Sequence, residues 1–261
     1  MAKAKIYGMV HLNALPGTPK NSENIVEICD KAMEEASLYR EHGLDGIIIE
    51  NMHDLPYLNR NVGPEITASM AVICSKLRSE YPDWEIGVQV LAGANEEALS
   101  IANACSLDFI RAEGFVYSHV ADEGIMNSDA AELLRFRKKI GASAIKVYCD
   151  IKKKHASHSL TADIPIEDIA KAAMFFLADG LIVTGNSTGE EASLEELQKL
   201  NSLELGLPII IGSGINKDNL ANYVYLADYL IVGSSFKKEA YWANDIDRNR
   251  LAAFMEAFRE L

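Results

Sequence analysis

Several patterns that mark membrane, secreted or zinc-binding proteins are missing from this chain. No apolar run approaches the ~18 residues that span a bilayer, and no hydrophobic leader precedes the first apolar run, which begins near Lys5. Only four of the 261 residues are cysteines, and none forms a Cys-x-x-Cys pair, which argues against a disulfide framework or a structural zinc site. We therefore expect buried free thiols and a soluble, cytoplasmic protein.

Basic residues are also scarce. The chain has 25 Lys and Arg against 38 Asp and Glu, a net charge of −13. An acidic chain repels nucleic acid backbones and anionic lipid surfaces, so we expect neither nucleic acid binding nor membrane insertion. The densest basic run is Lys152-Lys153-Lys154, which is either a solvated loop or a contribution to a site for an anionic ligand.

Short apolar runs alternate with amphipathic stretches along the whole chain. The runs lie at 6–10, 46–50, 86–91, 108–112, 144–149, 181–184, 208–211 and 229–232, and a helical pattern follows each. Nearly continuous apolar strands are typical of parallel sheets covered on both faces. Eight such units predict an α/β fold, a single TIM-barrel domain, (β/α)8, over 1–261. An open doubly wound sheet is the alternative, but no Gly-x-Gly-x-x-Gly follows the first strand.

Two glycine-containing loops follow the seventh and eighth predicted strands. Glycine lets backbone N–H groups converge on an anion, and a helix N-terminus behind the loop adds a favourable dipole. These two loops hold phosphate in many barrels of this type. We therefore predict a small phosphorylated molecule bound by Gly212, Ser213, Gly214, Gly233, Ser234 and Lys237. The alternative is that the glycines only end strands and turn corners.

Polar side chains recur at the ends of the predicted strands, although barrel interiors are normally filled with branched apolar residues. Residues two apart share a strand face, which places Lys146 with Asp150 and Arg111 with Glu113. Other strand ends add His11, Glu50, Asn51, Gln89 and Thr184 as candidate substrate-binding or catalytic residues. Buried charges are costly unless they are paired or functional, so this ring favours an active site at the barrel mouth.

If the chain is an enzyme, we expect Lys146 to carry the chemistry. A lysine held in an apolar barrel loses solvation, which favours the neutral amine that serves as a base or Schiff-base nucleophile. Glu50 is the complementary acid/base, and Arg111 holds a carboxylate or enolate oxygen. Two alternatives remain open: Lys146 faces outward, or it is pinned in an ion pair with Glu113 or Glu50.

The loop 150–158 carries further candidates. Asp150 and His155 are predicted as second-rank proton carriers, and the acid/base pair would be sought among Glu50, Glu113 and Asp150 if Lys146 is dispensable. His155 and His158 stand three residues apart, which is not a convincing metal spacing without partners from elsewhere. We therefore predict neither a metal nor a cofactor.

The segment 51–63 is long for a connection, and Pro56 blocks a regular helix there. Its apolar residues are Met52, Leu55, Tyr57 and Leu58. It is either a lid folded over the mouth or an arm that pairs two copies into a homo-oligomer. Both versions bury the apolar groups, so the sequence leaves the choice open.

Segments in order along nearly the whole chain resemble the BtpA family. They are Met9-Val10-His11-Leu12, Leu15-Pro16-Gly17, Asp45-Gly46, Ile49-Glu50-Asn51, Lys153-Lys154-His155-Ala156, Thr184-Gly185, Thr188-Gly189, Gly212-Ser213-Gly214, Val232-Gly233-Ser234 and Phe236-Lys237. The family includes the SgcQ-like proteins and is assigned to the ribulose-phosphate-binding barrels, which implies the barrel and its phosphate pocket. It supplies no reaction. Residues 91–95 and 111–115 depart from the cyanobacterial pattern, which expects an Arg-Asn and a Val-Asn pair there, so the ligand can differ.

Two functions follow as expectations. The first is a metabolic enzyme or binder that acts on a small phosphorylated, sugar-phosphate-like metabolite, with isomerase, epimerase or aldolase-like lyase chemistry by analogy of fold. The second is a non-catalytic assembly or stability factor, because the family name comes from a cyanobacterial protein needed for photosystem I accumulation. An exposed apolar patch on the helical ring and a plugged mouth would favour the second.

Overall fold

The computed structural model of the chain describes residues 2–185 and 189–261. The strands of this part are β1 (Lys5–His11), β2 (Gly46–Glu50), β3 (Glu85–Gln89), β4 (Phe109–Ala112), β5 (His119–Ala121), β6 (Gly124–Met126), β7 (Lys146–Ile151), β8 (Ala156–Ser157), β9 (Gly180–Val183), β10 (Ile209–Ile211) and β11 (Tyr229–Val232). The α-helices are α1 (Ile25–Glu41), α2 (Pro64–Glu80), α3 (Asn95–Ala104), α4 (Ala130–Lys139), α5 (Ile166–Phe175), α6 (Leu194–Ser202), α7 (Leu220–Tyr223) and α8 (Arg248–Glu260). Short 3-10 helices lie at Ser159–Thr161, Ser234–Phe236 and Lys238–Ala240.

Eight of these strands close into one parallel barrel in the order β1-β2-β3-β4-β7-β9-β10-β11. Closure is direct, because β1 pairs in parallel with both β2 and β11. The predicted TIM barrel is confirmed, and the open doubly wound sheet is wrong because an open sheet would leave β1 or β11 with an unpaired edge. The carboxyl ends of all eight strands therefore meet at one mouth.

Two local features were not among the sequence-based expectations. Asn24 caps α1, because its side chain accepts from the backbone N–H groups of Val26 and Glu27. The three-stranded antiparallel sheet β6-β5-β8 beside the mouth was not predicted. Its strands are two or three residues long, too short for a readable alternation of apolar and polar residues.

Aromatic rings fill the amino-terminal half of the barrel interior. Tyr7 stacks on Phe109 with ring centroids 5.5 Å apart and on Tyr229 at 5.0 Å. Glycines on neighbouring strands make the room, since a Cβ at Gly87 would lie 2.1 Å from the Phe109 ring and one at Gly180 would lie 2.6 Å from the Tyr148 ring. This aromatic layer seals the lower end of the barrel.

Branched and unbranched apolar side chains form the next layer toward the mouth. It consists of Met9, Ile48, Ile182, Ile210 and Ile231, all buried. Because side chains alternate along each strand, the next inward positions, two residues further on, are polar or glycine. The apolar layers thus form the floor of the mouth.

Two expectations drawn from composition can be compared with the structure. The four cysteines are free and buried, as predicted. In residues 2–185 and 189–261, no helix combines the length and the apolar character needed to cross a bilayer.

The substitution Gly87→Ala tests the packing of the aromatic layer. The new methyl group would overlap the Phe109 ring, and we expect the free energy of unfolding to fall by about 1–3 kcal/mol, measured by urea denaturation. The control is the double variant Gly87→Ala with Phe109→Leu, which relieves the overlap and should cost less than the sum of the two single changes. If the losses of unfolding free energy are additive, the Phe109 ring does not require a glycine at position 87.

Candidate functional site

A ring of buried polar side chains lines the barrel mouth. Glu50 ends β2, Gln89 ends β3 and Arg111 lies in β4, while Asp150 lies near the end of β7 and Thr184 follows β9. Each is less than a tenth exposed. They converge because the parallel strands end together and alternate residues point inward. The structure thus brings these five sequence-predicted residues together, and their roles stay predictions.

Two ion pairs organise this ring. Arg111 donates from Nε and Nη2 to the two carboxylate oxygens of Asp150, both at 2.8 Å. Next to it, Glu113 accepts from Gln89 Nε2 at 3.1 Å and from Lys153 Nζ at 2.8 Å. Asp150 and Glu113 are therefore each engaged with a cation, which makes them poor first choices as proton carriers.

Lys146 is not in the mouth. It is the first residue of β7, pairs in register with Phe109 at the start of β4, and is exposed. It shares the inward parity of Asp150 but lies at the opposite, amino-terminal end of the strand. The predicted buried catalytic position of Lys146 is therefore wrong, because parity sets the face of a strand residue and not its depth in the barrel.

Lys154 provides the mouth with its lysine instead. Its backbone N–H donates to Thr184 Oγ1 at 3.1 Å, and its side chain lines the cavities on both sides of Glu50 and Arg111. Within the described parts of the chain, no carboxylate oxygen lies within 4 Å of its ammonium group. Burial lowers the pKa of Lys154, and the nearby Arg111 lowers it further while Glu50 opposes the shift. Sequence analysis named only the basic run.

Glu50 and His11 form the centre of the mouth. Burial raises the pKa of Glu50, although Arg111 and Lys154 partly offset this. The pKa of His11 lies well below its ordinary value, first because of burial and then because of Lys237. His11 Nε2 lies 3.8 Å from a Glu50 oxygen, and Nδ1 lies 3.2 Å from the Trp242 carbonyl. A neutral imidazole thus stands beside a carboxyl group that is easier to protonate than usual.

The loops after β10 and β11 border one cavity of about 330 Å³. All five glycines and serines predicted for phosphate binding line it: Gly212, Ser213, Gly214, Gly233 and Ser234. Gly214 has φ +78° and a Cβ there would lie 2.2 Å from the Glu190 carbonyl oxygen, so only glycine fits. Within residues 2–185 and 189–261, the N–H groups of Gly214, Ile215 and Gly233 donate to no other atom, which leaves them available to an anion.

Arg250 adds a third cation to this cavity, beside Arg111 and Lys154, and sequence analysis missed it. It lies in the first turn of α8, and its Nε donates to the Ser235 carbonyl at 2.9 Å. The predicted dipole contribution is small, because α7 has four residues and the helix at Ser234–Phe236 is a single 3-10 turn. Arg250 could be found only from the fold, since on the sequence it is one of several charges in an amphipathic helix.

Lys237 does not contact this cavity. It is 1% exposed and forms a buried ion pair with Glu35 of α1. Its predicted role in substrate binding is therefore wrong. The 3-10 turn at Ser234–Phe236 carries the chain from the barrel to the helical ring, so Lys237 ties β11 to α1.

Asn51 and Thr184 act inside the protein. Asn51 Nδ2 donates to Asp54 at 2.8 Å, and its Oδ1 accepts from the Leu91 N–H at 2.7 Å. Thr184 holds the loop of Lys154, as described above. Both are predicted substrate-binding residues whose polar atoms the structure engages in positioning loops, and neither borders the two cavities of the mouth. Thr188 lies outside the described residues.

A second cavity of about 420 Å³ adjoins the first. The segment 51–63 lies over it, with Met52, Leu55 and Tyr57 in its wall. Arg60 fixes this segment through an ion pair with Asp129 and hydrogen bonds to the carbonyls of Gly93 and Gly114. The structure therefore places part of the segment in the wall of the mouth, as the lid version expects, and pairing of two copies through it stays a prediction.

His155 stands at the edge of the second cavity and is exposed, while His158 lies within hydrogen-bonding distance of the Lys153 carbonyl, 2.9 Å away. The two side chains are thus placed differently. In the part of the chain that the structure describes, no three His, Cys, Asp or Glu side chains group as metal ligands would.

The fold and these loops define a TIM barrel with its candidate site at the carboxyl ends of the strands, where barrels of this type bind their ligands. The chain belongs to the BtpA family, which residues 2–260 match. The resemblance inferred from the sequence motifs is thereby confirmed.

Several proteins are similar in sequence to this chain over most of their length. An uncharacterized protein of Caenorhabditis elegans, named as mitochondrial, is 47% identical over 255 residues, which cover 96% of this chain and 91% of the relative. The photosystem I biogenesis protein BtpA of Synechocystis is 32% identical over 257 residues, covering 98% and 88%. An uncharacterized protein of Archaeoglobus fulgidus is 36% identical over 233 residues, covering 89% and 91%.

Solved structures support the fold. Phosphoribosyl anthranilate isomerase of Thermus thermophilus superposes with a TM-score of 0.58 at 15% identity, covering 98% of each chain. Orotidine 5'-phosphate decarboxylase of Pyrococcus horikoshii superposes with a TM-score of 0.59 at 14% identity, covering 98% of this chain and 100% of the other. At such low identity the similarity shows the barrel alone.

The half-buried position of Lys154 in the mouth predicts an unusual titration. Because desolvation disfavours its charged form, the amine should lose its proton below the ordinary lysine pKa of about 10.4. NMR titration of ¹³C-dimethylated lysines measures this, with Lys154→Met identifying the signal. A midpoint for Lys154 at or above the ordinary value would contradict the placement.

Proposed function

We propose that this protein binds a small phosphorylated metabolite at the mouth of the barrel, with the phosphate between the loops after β10 and β11. One observation carries the proposal: the same cavity is lined by Arg250 and by residues of both loops whose backbone N–H groups donate to nothing in the described part of the chain. Oriented N–H groups and a cation are the ordinary ligands of a phosphate in proteins.

The solved barrels are consistent with this reading. The names of phosphoribosyl anthranilate isomerase and orotidine 5'-phosphate decarboxylase denote enzymes of phosphorylated compounds. Their resemblance covers the fold and not the chemistry. It supports the expectation that ligands of this barrel lie at the carboxyl ends of the strands.

We propose Glu50 and Lys154 as the acid/base pair if the protein is an enzyme. Both line the two adjoining cavities. Burial raises the pKa of Glu50 and lowers that of Lys154, so the neutral form of each group is favoured. Proton transfer next to a bound metabolite is the step shared by isomerases, epimerases and aldolase-like lyases. Arg111, held by Asp150, would orient an oxygen of the ligand.

A role in assembly is the second candidate. It rests on the printed name of the Synechocystis relative and on exposed apolar residues at the end of α5, where Phe175 is 79% and Leu177 71% exposed. The mouth, however, holds two cavities and is not plugged, which favours a ligand. Homo-oligomer formation and a cytoplasmic location stay predictions.

Arg250→Met tests the phosphate site. Loss of a charge-assisted hydrogen bond costs about 1.5–3 kcal/mol, so the Kd for inorganic phosphate, measured by calorimetry, should rise about tenfold or more. Arg248→Met is the matched control, because Arg248 lies in the same helical turn and does not border the cavity. If both variants raise the Kd for phosphate equally, Arg250 acts only through the overall charge of the protein and does not bind the phosphate directly. Wild-type protein without measurable affinity for phosphate or any phosphorylated sugar would refute the proposed function.

A further inference from the structure

The second cavity is chemically unlike the first. Its walls include the apolar and aromatic side chains of the lid segment 51–63, Leu91 and Trp242. Trp242 is half-buried, and its ring lies 4.9 Å from the His53 ring, centroid to centroid. A flat indole at the wall of a largely apolar cavity suits a flat ring of the ligand, since stacking on an aromatic face does not depend on the identity of the ring.

Two buried oxygen atoms in this wall lack a donor. Gln89 Oε1 and Glu123 Oε2 accept no hydrogen bond from the described residues, and both residues line the second cavity. The orientation of the Gln89 amide is fixed by chemistry, because its nitrogen faces the carboxylate of Glu113, which only accepts. The unsatisfied atom is therefore an acceptor, and a buried acceptor without a donor is costly. A ligand that satisfies both atoms must carry N–H or O–H donors.

The charges around the two cavities determine which end of the ligand lies in each of them. Glu113, Asp122 and Glu123 line the second cavity, and Glu113 is already paired with Lys153. Arg111 and Lys154 line both cavities, so the two differ in their other charges. The second cavity adds Asp122 and Glu123 to the Glu113–Lys153 pair, whereas the first adds Arg250 and Asp218, so a phosphate is repelled less from the first. The phosphate therefore belongs in the first cavity, and the uncharged, donor-bearing end of the ligand belongs in the second.

Between the two cavities lies a polar strip that both share. Glu50, Arg111 and Lys154 line both. A sugar with hydroxyl groups suits this strip, because carboxylate, guanidinium and ammonium groups all form hydrogen bonds with hydroxyls. In order, the mouth thus offers a phosphate subsite, a hydroxyl-binding strip and a subsite for a flat ring with N–H donors.

We infer that the ligand is a nucleoside 5'-monophosphate, whose base lies against Trp242 and donates to Gln89 in the second cavity. This inference rests on the proposed phosphate site and narrows the ligand from phosphorylated sugars in general. A ribose 5-phosphate without a base would leave the second cavity and its two acceptors unused.

Calorimetric titration with the four common ribonucleoside 5'-monophosphates, ribose 5-phosphate and inorganic phosphate tests the inference. At least one nucleotide should bind tenfold or more tightly than ribose 5-phosphate, about 1.4 kcal/mol, within the range of one stacked base. Ribose 5-phosphate binding as tightly as all four nucleotides would overturn the inference and leave the phosphate site standing. Binding of none of these compounds would overturn both.

Two variants locate the base. Trp242→Ala and Gln89→Leu should each remove most of the advantage of the nucleotide over ribose 5-phosphate. Trp242→Ala, which leaves the polar ring of the mouth intact, should also keep the affinity for ribose 5-phosphate within about twofold. Phe175→Ala, which removes an exposed ring that lines neither cavity, is the control and should change neither affinity. If Gln89→Leu does not fold, Trp242→Ala decides alone. If the folded variants still bind the nucleotide tenfold or more tightly than ribose 5-phosphate, the inference is contradicted.

Discussion

The buried ion pair of Arg111 and Asp150 is the interaction around which the mouth is built. Both side chains are less than a twentieth exposed, and burying two charges is affordable only with good geometry and full hydrogen bonding. The bidentate contact at 2.8 Å supplies both. It joins β4 to β7, and a Cβ at Gly212, in the loop after β10, would lie 3.2 Å from the Arg111 guanidinium. The pair places a cation at the centre of the mouth while Asp150 balances its charge.

The other residues of the mouth depend on the Arg111–Asp150 pair carrying no net charge. The protonation of Glu50 and Lys154 can then depend on each other and on a bound ligand. Burial raises the pKa of Glu50 and lowers that of Lys154, and both shifts favour the neutral form of the group. The phosphate loops and Arg250 add the positive end of the site, and the acidic wall beside the lid adds the negative end. A polar ligand would be oriented by this difference before any specific contact forms.

The fold and most of the mouth could be predicted from the sequence, because strand periodicity and the loops after the last two strands follow local rules. Glu50, Gln89 and Arg111 were found in this way. Lys146 was misplaced since alternation reports which face a residue takes and says nothing of its depth. Lys237 was misplaced because a loop lysine can turn toward the helices as easily as toward the ligand. Arg250 and Trp242 were missed because they reach the mouth from segments far along the chain, and only tertiary packing brings them there.

The position of an oxyanion at the barrel mouth decides whether the loops after β10 and β11 form a phosphate site. Crystals soaked in selenate, a tetrahedral anion that resembles phosphate, would reveal the ion by anomalous scattering of selenium. We expect the strongest non-methionine peak between residues 212–214 and 233–235, within reach of the Arg250 guanidinium. Selenate bound only elsewhere, such as at the amino-terminal end near Lys146, would contradict it.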